Sequence, residues 1–241
     1  MKSYYITGLI LSHENIGEGD RLIVFLTKER GKLKAVARGS RKISSKLAGS
    51  LEPLNAVKAW INIGKTFDII KGVEVLRTFP NIRKDLNRYL TAIKMLEFTE
   101  VIAQENDNGE KFYKLLLGVI TALDRYDVNI DSLLRFFWIN VLSLTGYKLR
   151  LDRCICGETD ISHFSPSSGG AVCRDCALRS DDAMVVSGKA IELLREYEGI
   201  RLSEAIEKDV PQILGKEVDD ILERFRVYHT GIKLKSEEVK L

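Results

Sequence analysis

The sequence predicts an α+β protein of several parts: an N-terminal five-stranded barrel of the OB type, a helical bundle, and a four-cysteine finger inserted into that bundle. Three observations carry this. Residues 3–77 alternate in steps of two and are broken by glycine-rich turns, the pattern of short antiparallel strands. Beyond Pro80 the apolar residues recur at a spacing near 3.6. All four cysteines fall between Leu151 and Leu178, as Cys154-x-Cys156 and Cys173-x-x-Cys176. The expected boundaries are 1–78 for the barrel, 79–150 and 181–241 for the two parts of the bundle, and 151–180 for the finger.

Five strands are expected at 4–11, 21–27, 32–38, 56–63 and 66–76, with turns at Gly17-Glu18-Gly19-Asp20, Glu29-Arg30-Gly31 and Gly64-Lys65. In the third, Leu33, Ala35 and Ala37 share one face while Lys32, Lys34 and Arg38 share the other, which specifies an apolar interior and a cationic exterior. An SH3-like barrel is the competing architecture. In the fourth strand Trp60 lies outside beside Lys58, where it can stack a base or pack under neighbouring helices. Packing is the expectation, because a lone outward aromatic near a domain boundary usually serves it. Gly64-Lys65-Thr66 is a hairpin turn and not a phosphate loop, since Ala59 stands where the first glycine belongs and no helix follows.

Charge is unevenly spread. The 241 residues sum to only +3. Lys28, Arg30, Lys32, Lys34, Arg38, Arg41, Lys42 and Lys46 oppose only Glu29 between positions 28 and 46, a local excess of +7 that leaves −4 for the remainder. A nucleic-acid surface and a merely solvated face are equally compatible with charge alone. Strand parity favours the first, so these eight residues are the candidate set for binding DNA or RNA, with Arg38-Gly39-Ser40-Arg41-Lys42 expected to leave the third strand as a mobile basic loop.

One long helix is expected from Pro80, whose ring pre-sets φ for a first turn, to a break at Asn106-Asp107-Asn108-Gly109. A second follows through Leu123. A third, from about residue 131 to 145 and ended by Gly146, is apolar on most sides and is expected at the centre of the bundle. After the finger, Ser187 caps a helix that stops at Gly199. A short segment covers 203–208, and a last amphipathic helix carries Ile213, Leu214, Val218, Ile221, Leu222, Phe225 and Tyr228 toward the central helices. The polar end, 233–238, is expected to fray.

Four cysteines in two close pairs suit a tetrahedral Zn²⁺ held by Cys154, Cys156, Cys173 and Cys176. Four thiolates close the coordination shell, which makes the role structural. A dithiol redox pair and metal-free cysteines are the alternatives. Met1-Lys2-Ser3-Tyr4-Tyr5 has no secretory signal, so a reducing cytoplasmic setting is expected. No apolar run approaches a membrane span, and no HExxH, G-x-S-x-G or clustered carboxylate site is present, which argues against an enzyme.

The finger stretch carries a family resemblance. Leu151-Asp152, Cys156-Gly157, Phe164-Ser165-Pro166, Gly169-Gly170 and the Cys173/Cys176 pair are similar to the zinc-finger signature of the bacterial recombination mediator RecO. The barrel adds Asp20-Arg21, then Thr27-Lys28-Glu29-Arg30-Gly31-Lys32-Leu33, Val36-Ala37-Arg38-Gly39 and Leu51-Glu52-Pro53-Leu54. Leu142-Ser143-Leu144-Thr145-Gly146-Tyr147 resembles the family's run closed by Gly-Tyr. Cys154-x-Cys156 departs from the usual C-x-x-C by one residue, which makes His163 a reserve ligand. The resemblance implies a non-enzymatic DNA repair factor that binds single- and double-stranded DNA and anneals complementary strands. With RecR, it would help load RecA onto DNA coated by the single-stranded-DNA-binding protein, working in the cytoplasm and joining the nucleoid during repair. It further implies that Arg135, a cation beside a hydrophobic groove on a helix with Phe136, Phe137 and Trp138, meets the acidic tail of the single-stranded-DNA-binding protein; an ordinary surface arginine that anchors the helix is the alternative. An RNA-binding or transcription-associated zinc-finger adaptor and a protein-only scaffold are the other classes.

Overall fold

The computed structural model describes residues 2–42, 45, 47–105, 109–125 and 127–237, and the chain divides into two compact units, Met1–Arg125 with Leu234–Leu241, and Tyr126–Lys233. The first unit is built on a closed barrel of β1 (Ser3–Ile16), β2 (Asp20–Thr27), β3 (Gly31–Ala37), β4 (Ala56–Asn62) and β5 (Asp68–Arg77), in the order β1-β2-β3-β5-β4. β1 reaches both neighbours because it is long and its register with β2 shifts between Ile10 and Ser12. Such a bulge bends a strand and lets its first half pair with β4 and its second with β2. A short parallel contact, Ala35 with Asp68 and Val36 with Ile69, closes the ring. This is the OB arrangement, not the SH3-like one.

Inward alternation follows the expected parity. Ile6, Ile10, Ile23, Phe25, Ala35, Ala37, Val57, Ala59 and Ile61 are buried together, with Leu33 packed against them. Each large side chain among them stabilises the fold by about 1.5–3 kcal/mol through area removed from water. The β4–β5 connection is a tight turn as expected. A Cβ on Gly64 would stand 1.9 Å from the Phe67 carbonyl oxygen, so only glycine fits there.

The long helix expected after Pro80 is two helices, α1 (Pro80–Lys84) and α2 (Leu86–Ile102). Asp85 divides them: its backbone is extended and its carboxylate accepts from the Arg88 N–H at 3.0 Å, an N-cap that starts a new helix. α3 (Gly109–Leu123) packs on β2 and β3, and α2 on β1, so both belong with the barrel.

The polar C-terminal segment does not fray over its described part. Leu234 is 1% exposed, and the Glu97 carboxylate accepts from the Lys235 N–H (2.6 Å) and from the Ser236 N–H and hydroxyl (3.1 and 2.8 Å). Burial works to raise the Glu97 pKa, but these donors outweigh it and the net shift is downward. A lowered folded pKa means that the carboxylate's contribution is present above its unfolded pKa and is lost as pH falls through the folded value. Glu97→Gln removes one acceptor oxygen and the charge, so amide exchange at Lys235 and Ser236 is expected to speed by about 5–30-fold, equivalent to roughly 1–2 kcal/mol. Unchanged exchange would reject this anchor.

In the second unit α4 (Ile130–Leu144), capped by the Asn129 side chain, is central: it packs on α6 (Gly188–Gly199), α7 (Leu202–Ala205) and α8 (Gln212–Thr230). Val218, Ile221, Leu222 and Phe225 of α8 are buried as expected, whereas Ile213 and Tyr228, assigned to the same stripe, are exposed. The finger contributes β6 (His163–Ser165), β7 (Gly170–Val172), α5 (Arg174–Ala177) and β8 (Met184–Val185), with sheet order β7-β6-β8. Glycine is required at 170, where φ is +157° and a Cβ would stand 2.0 Å from the Arg150 carbonyl oxygen.

Candidate metal centre and nucleic-acid interface

Cys154, Cys156, Cys173 and Cys176 come together, their sulfurs all within 4.8 Å of one another, and none is in a disulfide. The Cys156 and Cys173 sulfurs are 3.8 Å apart. A tetrahedron with Zn–S bonds of about 2.3 Å has edges of roughly 3.8 Å, so the donor set fits. The shortened first pair reaches the cluster because 154–157 closes a turn, with the Gly157 N–H on the Cys154 carbonyl at 3.0 Å and Gly157 at φ +96°. His163 is not needed as a reserve ligand: its Nδ1 pairs with the Ser162 hydroxyl at 2.8 Å and it is outside the cluster.

Burial disfavours the Cys154 thiolate, but N–H groups of Cys156 and Cys173 aimed at its sulfur bring its pKa down to about 6. Cys176 is pushed up to about 12 by the sulfurs around it, Cys154 first and then Cys156. Four thiolates so close cannot all ionise without a cation among them. A redox pair, by contrast, would leave two of these sulfurs without a role.

The basic set is brought to different places. Lys28 and Arg30 sit at the β2–β3 turn, where the Arg30 guanidinium lies 4.0 Å over the Tyr4 ring. Arg38, Arg41 and Lys42 are at the other end of β3, about 20 Å away at 3.3 Å per residue. Lys34 is exposed between them. Lys32 departs from expectation: it is half-buried, its Nζ donates to the Glu100 carbonyl near the end of α2 at 2.9 Å, and burial followed by Lys34 lowers its pKa. Lys46 lies outside the described residues.

The expected mobile loop is a tied turn over its described part. Gly39 N–H donates to the Asp20 carboxylate (2.7 Å), Arg41 N–H to the Gly19 carbonyl (3.0 Å) and Arg41 Nη1 to the Gly17 carbonyl (3.1 Å). These bonds lash the end of β3 to the β1–β2 turn. Beside it is a cleft of about 540 Å³ lined by Arg38, Lys65, Phe67 and Lys71 among others. Asp20 also lines it, but its carboxylate is engaged by Gly39. No ion pair to Arg38, Lys65 or Lys71 is found among the described residues. Lys65 and Lys71 escaped the sequence reading because each is a single cation in a turn or strand. Only the β3–β5 contact brings them to Arg38.

Trp60 is not packed under helices: it is 44% exposed, stacked against Tyr5 with centroids 6.4 Å apart and planes at 21°. Arg135 is also unlike its expectation of a cation beside an open groove. It is 5% exposed and forms a bidentate pair with Asp219 of α8, Nε and Nη2 each at 2.7 Å. Burial works against its charge, and Asp219 more than restores it. Gly215 makes room, since a Cβ there would stand 2.6 Å from Arg135 Nη2. Among the described residues no helix is long and apolar enough to cross a membrane.

Residues 1–79 match the family model for the recombination protein O N terminus, and residues 83–238 match that for its C terminus. The chain is 28% identical to the DNA repair protein RecO of Symbiobacterium thermophilum over 99% of its own length and 96% of the relative's. It is 31% identical to that of Myxococcus xanthus, over 98% and 96%. For that of Roseiflexus sp. the identity is 32%, over 92% and 82%.

Proposed function

The chain belongs to the RecO family of DNA repair proteins, and from that premise we propose that it is a non-enzymatic recombination mediator. In this reading it binds single- and double-stranded DNA, anneals complementary strands and, with RecR, helps load RecA onto DNA coated by the single-stranded-DNA-binding protein. The observation that carries the reading is the convergence of the β3 end, the β1–β2 turn and the β4–β5 turn. It holds Arg38, Arg41, Lys42, Lys65 and Lys71 on one end of the barrel. Cations held by backbone bonds meet phosphates without first being ordered, and shielding phosphate repulsion between two strands is the simplest chemistry for annealing.

Lys28, Arg30 and Lys34 extend the proposed surface along the barrel, while Lys32 contributes less because its ammonium is committed to Glu100. Zinc is the metal we assign to the finger. Cys154, Cys156, Cys173 and Cys176 would hold it in a closed shell, where it clamps the finger and supplies no reaction chemistry. We propose no contact at Arg135 for the tail of the single-stranded-DNA-binding protein, because its donors are committed to Asp219.

A salt series on wild type and on the Arg38→Ala, Arg41→Ala, Lys42→Ala variant tests the reading. The variant is expected to lose about three units of salt slope, one per phosphate contact, on any base sequence, and annealing should fall with it. Lys65→Ala should remove about one more. An unaltered slope would move the DNA site off this end of the barrel. Tighter binding to RNA than to DNA of equal length would favour an RNA-binding adaptor instead.

A further inference from the structure

We propose that the ring pair Tyr5–Trp60, together with the bare strand position Gly72, is a stacking site for an unpaired base of single-stranded DNA, with Lys58 and Lys71 beside it for the flanking phosphates. The inference rests on the proposal that the barrel binds DNA and adds to it a site that the charge pattern did not contain.

Three adjacent strands set the geometry. Tyr5 of β1 is opposite Trp60 of β4, and Trp60 is opposite Gly72 of β5. Tyr5 is 63% and Trp60 44% exposed, so two large rings stand on the barrel surface instead of in a core. Tyr5 screens the indole on one side. On the other, Gly72 offers no side chain, and nothing lies within 4 Å of where its Cβ would be. Its φ is not in the left-handed region and no neighbour crowds it, so neither backbone nor packing demands glycine there. Glycine inside a strand costs about 0.5–1 kcal/mol and often marks a place where a ligand approaches the backbone.

Charge and continuity name the occupant. Lys58 Nζ lies 5.4 Å over the Tyr5 ring. The β4–β5 register shifts between Trp60 and Ile61, passing from Gly72 to Ile70, so Lys71 is the unpaired bulge residue, adjacent in the chain to Gly72, and is exposed. Lys71 also lines the cleft with Arg38 and Lys65, so the strand that flanks Trp60 contributes to that cleft as well. Glu74, opposite Lys58, sits on the side away from Lys71, and the Glu29 carboxylate near Lys58 is engaged by the Thr7 N–H. Aromatic rings interleaved with cations suit single strands, whose bases are free to stack; a duplex offers phosphates but no open base face.

Gly72→Val is the informative variant. A β-branched residue suits the strand and has open space, so the fold is retained while the position beside Trp60 is filled. Oligothymidine is expected to quench wild-type tryptophan fluorescence through Trp60, because Trp138, the other of the two tryptophans, is buried. Gly72→Val and Trp60→Ala should each weaken oligothymidine binding by about tenfold, and Trp60→Phe should recover most of it. Duplex affinity and its salt slope should not change. Wild-type single-strand affinity in both Gly72→Val and Trp60→Ala, or an equal loss on duplex, would overturn the stacking site and leave the barrel reading standing. A wild-type protein that binds neither form of DNA would overturn both.

Discussion

Stripping the finger of its metal is expected to unfold residues 151–180 and to loosen the second unit with them. Structural zinc in small fingers contributes on the order of 10–16 kcal/mol of apparent free energy at pH 7, more than the Asp182 bonds to Ser165, Ser167 and Ser180 or the short β6–β7–β8 sheet supply. Its own core is small: Cys154, Val172, Cys173 and Ala177, with Cys176 and Ala183 at the edge. Two of the four buried members are ligands. The consequence spreads because Phe164 of β6 is fully buried and meets Phe225 of α8 edge-on, with centroids 5.9 Å apart. Arg195 of α6 also donates to the Leu151 carbonyl at 2.5 Å. Chelation, or Cys173→Ser, should therefore release one zinc per chain and lower the melting temperature of the unit that contains α6 and α8. Acid should act in the same direction, since protons compete with the metal for thiolates. Elemental analysis with calorimetry checks this. A folded preparation made without chelators that contains no zinc, or a melting temperature unmoved by chelation, would reject the assignment.

Arg135→Ala should destabilise α4 about as much as truncating one of its buried apolar side chains. Removing one member of a buried ion pair costs about 3–5 kcal/mol; because half of Asp219 is exposed, the expected loss here is about 2–4 kcal/mol. For a protein of this size that corresponds to a fall in melting temperature of roughly 5–15 °C. Arg135→Lys should recover only part of it, since an ammonium cannot make both bonds to the carboxylate. Gly215→Ala should reproduce part of the defect without touching either charge, because the new methyl group would displace the guanidinium. A melting temperature within 1–2 °C of wild type for Arg135→Ala would mean that α4 and α8 are held by apolar packing alone.

Much of the architecture was legible along the chain because its causes are local or periodic. Alternation of Leu33, Ala35 and Ala37 against Lys32 and Lys34 specified both a strand and its inward face, and β3 has that parity. Ser187 and Gly146 marked helix ends where a side chain or a left-handed residue does so, while the Asn129 cap of α4, like Asp85, was a local signal passed over. Cysteine spacing brought four sulfurs to one point even with a residue missing from the first pair, since the Gly157 turn absorbs the difference. At Asp85 an aspartate three residues before Arg88 is an N-cap, and it divides what periodicity alone would join.

Alternation, capping and cysteine spacing act within a few residues, so the barrel, most helical segments and a four-cysteine cluster able to hold a metal could be read along the chain. Only the tertiary structure decided which cations share a surface. Lys32 is drawn to the end of α2, and Arg135 to Asp219, 84 positions away. Lys65 and Lys71 join Arg38 through the parallel closure of β3 on β5, and Trp60 is left open because the strand beside it carries Gly72. Period and composition state what a side chain can do. Which partner it does it with depends on strand order and helix packing, and those are set by the burial of residues far apart in the chain.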